Sequence, residues 1–305
     1  KITSELDCKN YSVGVFLDLS KAFDTINHQI LLDKLWSYGV RGVAYDWIKS
    51  YLSSRTQYVF VNNVASSILP ITCGVPQGSI LGPLLFIIYM NGIFNVSQLT
   101  DLILFADDTN IFHSGENLHT LISELNQEMV KLSRWFKLNK LSLNLKKTNY
   151  IIFCNKYQRE FIPTHINIKI DDADIVRVNS TKFLGVIINE KLTWHDHVLT
   201  IKDKISKGIG IICRLRKSLP THLLLNLYFA FVHPYIEYCN IIWGIAPTTL
   251  LNKIFLLQKK VIRIMLNSKW TAHTEPLFKK LHILNVFQIN NLQCFMYKVE
   301  HGLVS

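Results

Sequence analysis

Leu102-Ile103-Leu104-Phe105-Ala106-Asp107-Asp108-Thr109-Asn110-Ile111-Phe112 puts two adjacent carboxylates at the crest of an apolar run that resumes directly after them. The pattern predicts a β-hairpin whose turn carries the Asp pair. An isolated Asp-Asp needs no chemistry, because Asp is a favoured turn residue. A third carboxylate changes the reading. One stands in Val13-Gly14-Val15-Phe16-Leu17-Asp18-Leu19, a second apolar run interrupted by one acid. A charge in such a run is expensive to bury unless it is paired or holds a metal. Two buried strands with three acids at their ends predict a divalent-cation site. Oxygen-only ligands with no nearby His or Cys favour Mg²⁺ or Mn²⁺ over zinc.

With 305 residues, 49% of them apolar, the chain can bury a core and is expected to form two or three lobes. No apolar run approaches the roughly 18 residues that would span a bilayer, so no membrane is expected as a partner. The opening Lys1-Ile2-Thr3-Ser4-Glu5 has no apolar segment of a signal peptide behind it. The missing initiator Met suggests a piece of something longer. Six cysteines are scattered without Cys-x-x-Cys spacing, which argues against a zinc site or a disulfide framework and suits a reducing compartment. Charge divides by region. Residues 1–110 have a net charge of −2, residues 111–194 of +4 and residues 195–305 of +9. An acid-bearing front with a basic rear fits a polymeric phosphate ligand held behind a metal site, although a lysine-rich solvated surface gives the same count.

Along the chain, a helix is predicted from about Asn27 to Tyr38, stopped at Gly39, and a one-sided helix from Ala44, Trp47, Ile48, Tyr51 and Leu52. Strands are predicted over 57–61 and 66–71, joined around Asn62-Asn63. Gly74-Val75-Pro76-Gln77-Gly78-Ser79-Ile80-Leu81-Gly82-Pro83 is a loop whose backbone is both fixed and closely approachable, leading into a buried helix, Leu84 to Met90. Leu118, Leu121, Ile122, Leu125, Met129, Leu132 and Phe136 predict an amphipathic helix. Short strands are expected at 141–144, 149–154, 166–170, 175–178 and 183–188. From Trp194 onward the pattern is helical, with Lys202, Lys204, Lys207, Arg214, Arg216 and Lys217 beside an Ile-rich face, and a later helix spans about 248–266. Trp194, His195 and His197 read as a surface cluster at a helix start, since no third metal ligand is near. Strands first and helices later give an α+β fold with a helical appendage.

Taken together, Phe16-Leu17-Asp18-Leu19-Ser20-Lys21-Ala22-Phe23-Asp24, Gly74-Val75-Pro76-Gln77-Gly78-Ser79 and Phe105-Ala106-Asp107-Asp108 resemble, in order and spacing, the palm motifs of reverse transcriptases from non-LTR (LINE-type, jockey-like) retrotransposons. Asn144-Leu145-Lys146-Lys147-Thr148 is similar to the family's next motif, and Phe183-Leu184-Gly185-Val186 to its primer-grip hairpin. The resemblance implies a right-hand polymerase: an RRM-like antiparallel palm with partial fingers over 1–192, a helical thumb over 193–265 and a helical extension over 266–305. It implies that Asp18 and Asp107, helped by the carbonyl of Leu19, bind two Mg²⁺ or Mn²⁺ ions, with Asp108 as the supporting acid. Phe23 would lie against the sugar of the incoming nucleotide and select dNTPs; packing under the strand is the plainer role for a Phe. Gln77 and Gly78 would contact nucleotide and template, although the loop by itself reads as a helix entry. Lys147 would protonate the pyrophosphate, where a solvated lysine is the default. Lys202, Lys204, Lys207 and Arg214 would track the nucleic-acid backbone without reading sequence.

The expected activity is RNA-directed DNA polymerisation, with RNA template, DNA primer and dNTPs as partners. The parent polyprotein would carry an endonuclease upstream, and the work would take place in a cytoplasmic ribonucleoprotein and then the nucleus. The chain begins about ten residues before the Asp18 strand, without the family's upstream fingers motifs. The alternative is therefore a catalytically inactive nucleic-acid-binding fragment. Asn91-Gly92 also stands where the family often has Asn-Asp.

Overall fold

The computed structural model describes residues 2–163 and 165–303. The chain divides into two compact units, one ending at Leu184 and the other starting at Gly185, ahead of the boundary expected at 192. The fold is α+β.

The first unit is built on a five-stranded sheet. Its order is Val176–Arg177, Asn149–Phe153, Tyr11–Leu17, Asp108–Gly115 and Asp101–Phe105. Every neighbouring pair is antiparallel except the Val176–Arg177 edge, which runs parallel to Asn149–Phe153. Tyr11–Leu17 is the central strand, and Ser12 to Leu17 are all buried. Burial on both faces is why this segment reads as a continuous apolar run, without alternation. Gly14 faces Phe112 across the ladder, and a Cβ there would lie 2.8 Å from Cε1 of that ring. The missing side chain leaves room for Phe112, which meets Phe16 edge-on at 5.9 Å.

Among the described residues three helices each bury several side chains in this core, and a fourth, Gly42–Leu52, buries Leu52. Asn27 caps His28–Ser37 by accepting the Ile30 N–H, and Asn117 caps Leu118–Leu138 by accepting the N–H groups of His119 and Thr120. Leu121, Leu125, Met129, Leu132 and Phe136 are buried at the predicted helical spacing. The third helix is Leu81–Met90, one turn longer than expected and buried on one side only, since Leu84 and Ile87 are each more than half exposed. An all-apolar stretch has no polar residue to mark its outer face.

Other expected elements are shorter than the sequence suggested. The ribbon around Asn62-Asn63 pairs Thr56–Gln57 with Leu69–Pro70 and Phe60–Val61 with Val64–Ala65. Both Asn residues have positive φ, which Asn tolerates better than most residues. The strand expected at 141–144 reduces to one bridge between Leu143 and Leu19, because the following residues turn back toward Asp18. The strand expected at 183–188 is broken at Leu184-Gly185, both with positive φ, leaving Ser180–Phe183 before the turn and Val186–Asn189 after it.

The second unit is mostly helical: His195–Leu215, Thr221–Phe231, Thr248–Met265 and Val286–Glu300 are its longer helices. They share one core in which Ile201, Ile205, Ile209 and Ile212 meet Val261, Ile262 and the fully buried Trp243. Phe278, Val286 and Ile289 join the same core, so residues beyond 265 pack with the helices before them. Among the described residues no helix is long and apolar enough to cross a membrane.

Gly208 marks a close helix contact in this unit: a Cβ there would lie 2.6 Å from the carbonyl oxygen of Phe231. Gly208→Val should therefore destabilise the protein by about 1–3 kcal/mol, the cost of overpacking a close contact. The drop would be read from the urea midpoint, and an unchanged midpoint would contradict the close approach.

Candidate active site

Asp18 follows the last residue of the central strand. Leu17 pairs with Thr109, so Asp18 emerges beside Asp108. Residues 142–148 close on it. The Asn144 side-chain amide donates to Asp18 Oδ2 at 2.9 Å, and the Asn144 backbone N–H donates to the Asp18 carbonyl at 2.8 Å. The Asp18 N–H donates to Thr148 Oγ1 at 3.3 Å, and the Ser20 N–H to the Ser142 carbonyl at 2.8 Å. Lys147 Nζ stands 3.7 Å from Asp18 Oδ2, but its side chain is 71% exposed, so the pair is weak.

The hairpin forms where the sequence placed it, but of the Asp pair its turn carries only Asp107, and Asp108 is the first residue of the returning strand. Phe105 pairs with Asp108, leaving Ala106 and Asp107 as the turn, with Ala106 at a φ of 51°. Partial burial, and then the like charges of Asp107 and Asp18, push the Asp108 carboxyl above its ordinary range, while Lys182 opposes them. Because Asp108 is exposed, solvent screens much of this. Among the described residues no group of three or more His, Cys, Asp and Glu side chains stands ready-formed around a metal position. The donors are nonetheless of the right kind. They are carboxylate oxygens whose mutual repulsion a hard divalent cation would relieve.

The glycine-rich loop is locked to the segment after Asp18. Gly74 has a φ of 85°, and a Cβ there would lie 2.8 Å from the Asp24 carbonyl oxygen. The Gly74 N–H donates to the Ile26 carbonyl at 2.7 Å, the Val75 N–H to the Phe23 carbonyl at 2.9 Å, and the Gln77 side-chain amide to Asp24 Oδ1 at 3.0 Å. Ser79 Oγ accepts the Gly82 N–H at 2.9 Å at the entry to Leu81–Met90. Phe23 stacks on Phe86 of that helix, with ring centroids 4.7 Å apart. The result is a cavity of about 400 Å³ lined by Leu19, Lys21, Phe23, Gln77, Gly78 and Asp107 among others. Five of these six residues were candidates from sequence. Lys21, at a φ of 50°, was not, although it lies inside the same motif.

Other candidates lie elsewhere. Phe183 packs edge-on against Phe16 and Phe112 at 6.0 and 6.3 Å, and Leu184 and Gly185 form the turn after it. On His195–Leu215, Lys204, Lys207 and Arg214 are exposed and Lys202 is half-buried. His197 is not at the surface as expected. It is buried edge-on to Trp243, Nδ1 accepts the Ile187 N–H at 3.3 Å, and burial, then Lys204, lowers its pKa to about 4. The contacts of Asn144 were also missed. The sequence signal was the Asn144–Thr148 stretch, similar to a family motif, from which only Lys147 was taken as a site residue.

The family profile described as reverse transcriptase (RNA-dependent DNA polymerase) matches residues 2–188. The chain belongs to the reverse transcriptase family. Among relatives of this reverse transcriptase, the RNA-directed DNA polymerase from mobile element jockey of Drosophila melanogaster is 27% identical over 91% of this chain and 31% of its own length. The probable RNA-directed DNA polymerase from transposon X-element of the same species is 27% identical over 97% of this chain and 33% of its own. The chain thus spans about a third of these relatives. They accord with the resemblance to non-LTR elements. A solved telomerase from Candida albicans, in complex with a fragment of telomeric RNA, is 11% identical over 93% of this chain and 54% of its own, with a TM-score of 0.43.

The raised Asp108 carboxyl holds its proton to higher pH in the folded state than in the unfolded chain. Its contribution to stability is therefore lost as pH rises through the carboxylate range. Metal-free Asp108→Asn should melt higher than the parent at pH 7, with the gap closing as pH falls to about 4, the ordinary Asp range. Thermal melts across pH check this, and equal melting at every pH would contradict the like-charge account.

Proposed function

We propose that this chain forms the nucleotidyl-transfer centre of an RNA-directed DNA polymerase of a non-LTR retrotransposon. The observation that carries the reading is the cavity that gathers Leu19, Phe23, Gln77, Gly78 and Asp107 beside the carboxylates. Asp18, the Leu19 carbonyl and Asp107 would hold two Mg²⁺ or Mn²⁺ ions, with Asp108 supporting. Divalent ions there supply activation of the primer 3′-hydroxyl and neutralisation of the triphosphate.

The chain's own residues do the rest. Gln77 spends its amide N–H on Asp24 and keeps a carbonyl oxygen for the incoming nucleotide or template. Gly78 lets either approach the backbone closely. The Phe23 ring, fixed by its stack on Phe86, would exclude a ribose 2′-hydroxyl. Lys147 Nζ would give its proton to an oxygen of the leaving pyrophosphate. Phe183, Leu184 and Gly185 would steady the primer end, while Lys202, Lys204, Lys207 and Arg214 would hold the phosphates of template and primer. The whole protein would add an endonuclease and work in a cytoplasmic ribonucleoprotein and then the nucleus.

Incorporation of dNTPs on an RNA template with a DNA primer and Mg²⁺ tests this. The full-length protein should extend the primer. Asp107→Ala should lose on the order of 10²–10³-fold or more in rate, the scale of removing one electrostatic contact to the transition state. Phe23→Ala should raise ribonucleotide incorporation relative to dNTP. Tight, salt-sensitive binding of primer–template with no incorporation would instead make the chain a nucleic-acid-binding protein without catalysis.

A further inference from the structure

Asp18 lies at the end of a strand with its side chain 36% exposed, so the strand alone does not fix its carboxylate. What does is a closed set of hydrogen bonds. The Asn144 N–H donates to the Asp18 carbonyl, the Asn144 carbonyl accepts the N–H groups of Lys147 and Thr148 at 3.1 and 3.0 Å, and Thr148 Oγ1 accepts the Asp18 N–H. These bonds hold the turn through its backbone and Thr148, so they do not depend on the side chain at 144. The Asn144 amide adds one contact of a different kind: it donates to Asp18 Oδ2 at 2.9 Å. A charge-assisted hydrogen bond of this length is among the stronger ones. It engages Oδ2, and among the described residues no hydrogen bond or ion pair engages Oδ1.

The chemistry of the donor also matters. A lysine or arginine in contact with Asp18 would compete with a cation for the carboxylate, as Lys147 does weakly from 3.7 Å. A neutral amide orients the group and leaves its full negative charge in place. We propose that Asn144 is a positioning residue that holds Asp18 by one carboxylate oxygen so that the other is presented to a divalent cation. The proposal rests on Asp18 being a metal ligand. Removing a hydrogen-bonding group that orients a metal ligand lowers metal affinity or activity by about 10–100-fold.

The test is Mn²⁺ binding to the full-length protein, followed by electron paramagnetic resonance, beside primer extension across Mg²⁺ concentrations. Asn144→Ala, and Asn144→Leu as a variant of similar bulk without a donor, should bind Mn²⁺ about 10–100-fold more weakly. Their melting temperatures should stay near the parent's, because the backbone bonds of the turn remain. Extension should fall at low Mg²⁺ and recover as Mg²⁺ is raised, with KM for dNTP unchanged. Lys146→Ala, an exposed neighbour, should behave as the parent. If either Asn144 variant folds and binds Mn²⁺ like the parent, the positioning role is overturned. Asp18→Asn separates the two layers. Loss of Mn²⁺ there with normal binding in the Asn144 variants would remove only the role of Asn144. Normal binding in Asp18→Asn would remove the ligand assignment and this inference with it.

Discussion

The site depends on one constraint: the central strand Tyr11–Leu17 has neighbours on both sides and is buried on both faces, so no charge fits within it. The first position at which a carboxylate can appear is the end of the strand, and Asp18 occupies it. The hairpin beside it differs from the two buried strands expected: Asp101–Phe105 is an edge strand with no buried residue, and Asp107 lies in its turn with Asp108 at the first position after it. Three acids thus come near one another because Tyr11–Leu17 and Asp101–Phe105 finish, and Asp108–Gly115 begins, along one edge of the same sheet. The raised Asp108 carboxyl is the electrostatic consequence.

Around that edge the backbone does much of the positioning. Gly74, held at a φ of 85° against the Asp24 backbone, locks the glycine-rich loop to the turn after Asp18. The 142–148 segment closes on Asp18 through hydrogen bonds to its backbone as well as its side chain. Side chains that reach the cavity therefore leave from fixed points. Phe23 is steadied by Phe86 and Gln77 by Asp24. Groups on a rigid frame would lose little freedom if a nucleotide entered, and such preorganisation is what the proposed phosphoryl transfer would ask of the protein.

Much of this was legible in the sequence, for identifiable reasons. Unbroken apolar runs ending in Asp, the Asn27 and Asn117 caps and the 3.6-residue stripe of Leu118–Leu138 are local signals, and local physics sets them. What stayed hidden depends on distant partners or on featureless runs. The contact of Asn144 with Asp18 joins residues 126 positions apart. The turn at Leu184-Gly185 lies inside apolar residues that periodicity reads as one strand, and only the resemblance to a primer-grip hairpin signalled it. His197 follows the polar His195 and Asp196, which suggest solvent, yet Trp243 covers it. Lys21 stood inside a recognised motif, but nothing local shows that its side chain borders the cavity.

The central claim is that the ends of these strands form a divalent-cation site. Anomalous scattering from Mn²⁺ in crystals of the full-length protein, bound to primer–template and an unreactive dNTP, tests it directly. The account predicts density within about 2.0–2.6 Å of carboxylate oxygens of both Asp18 and Asp107, the range of oxygen ligands to hard cations. Manganese bound elsewhere, with both carboxylates bare, would contradict it.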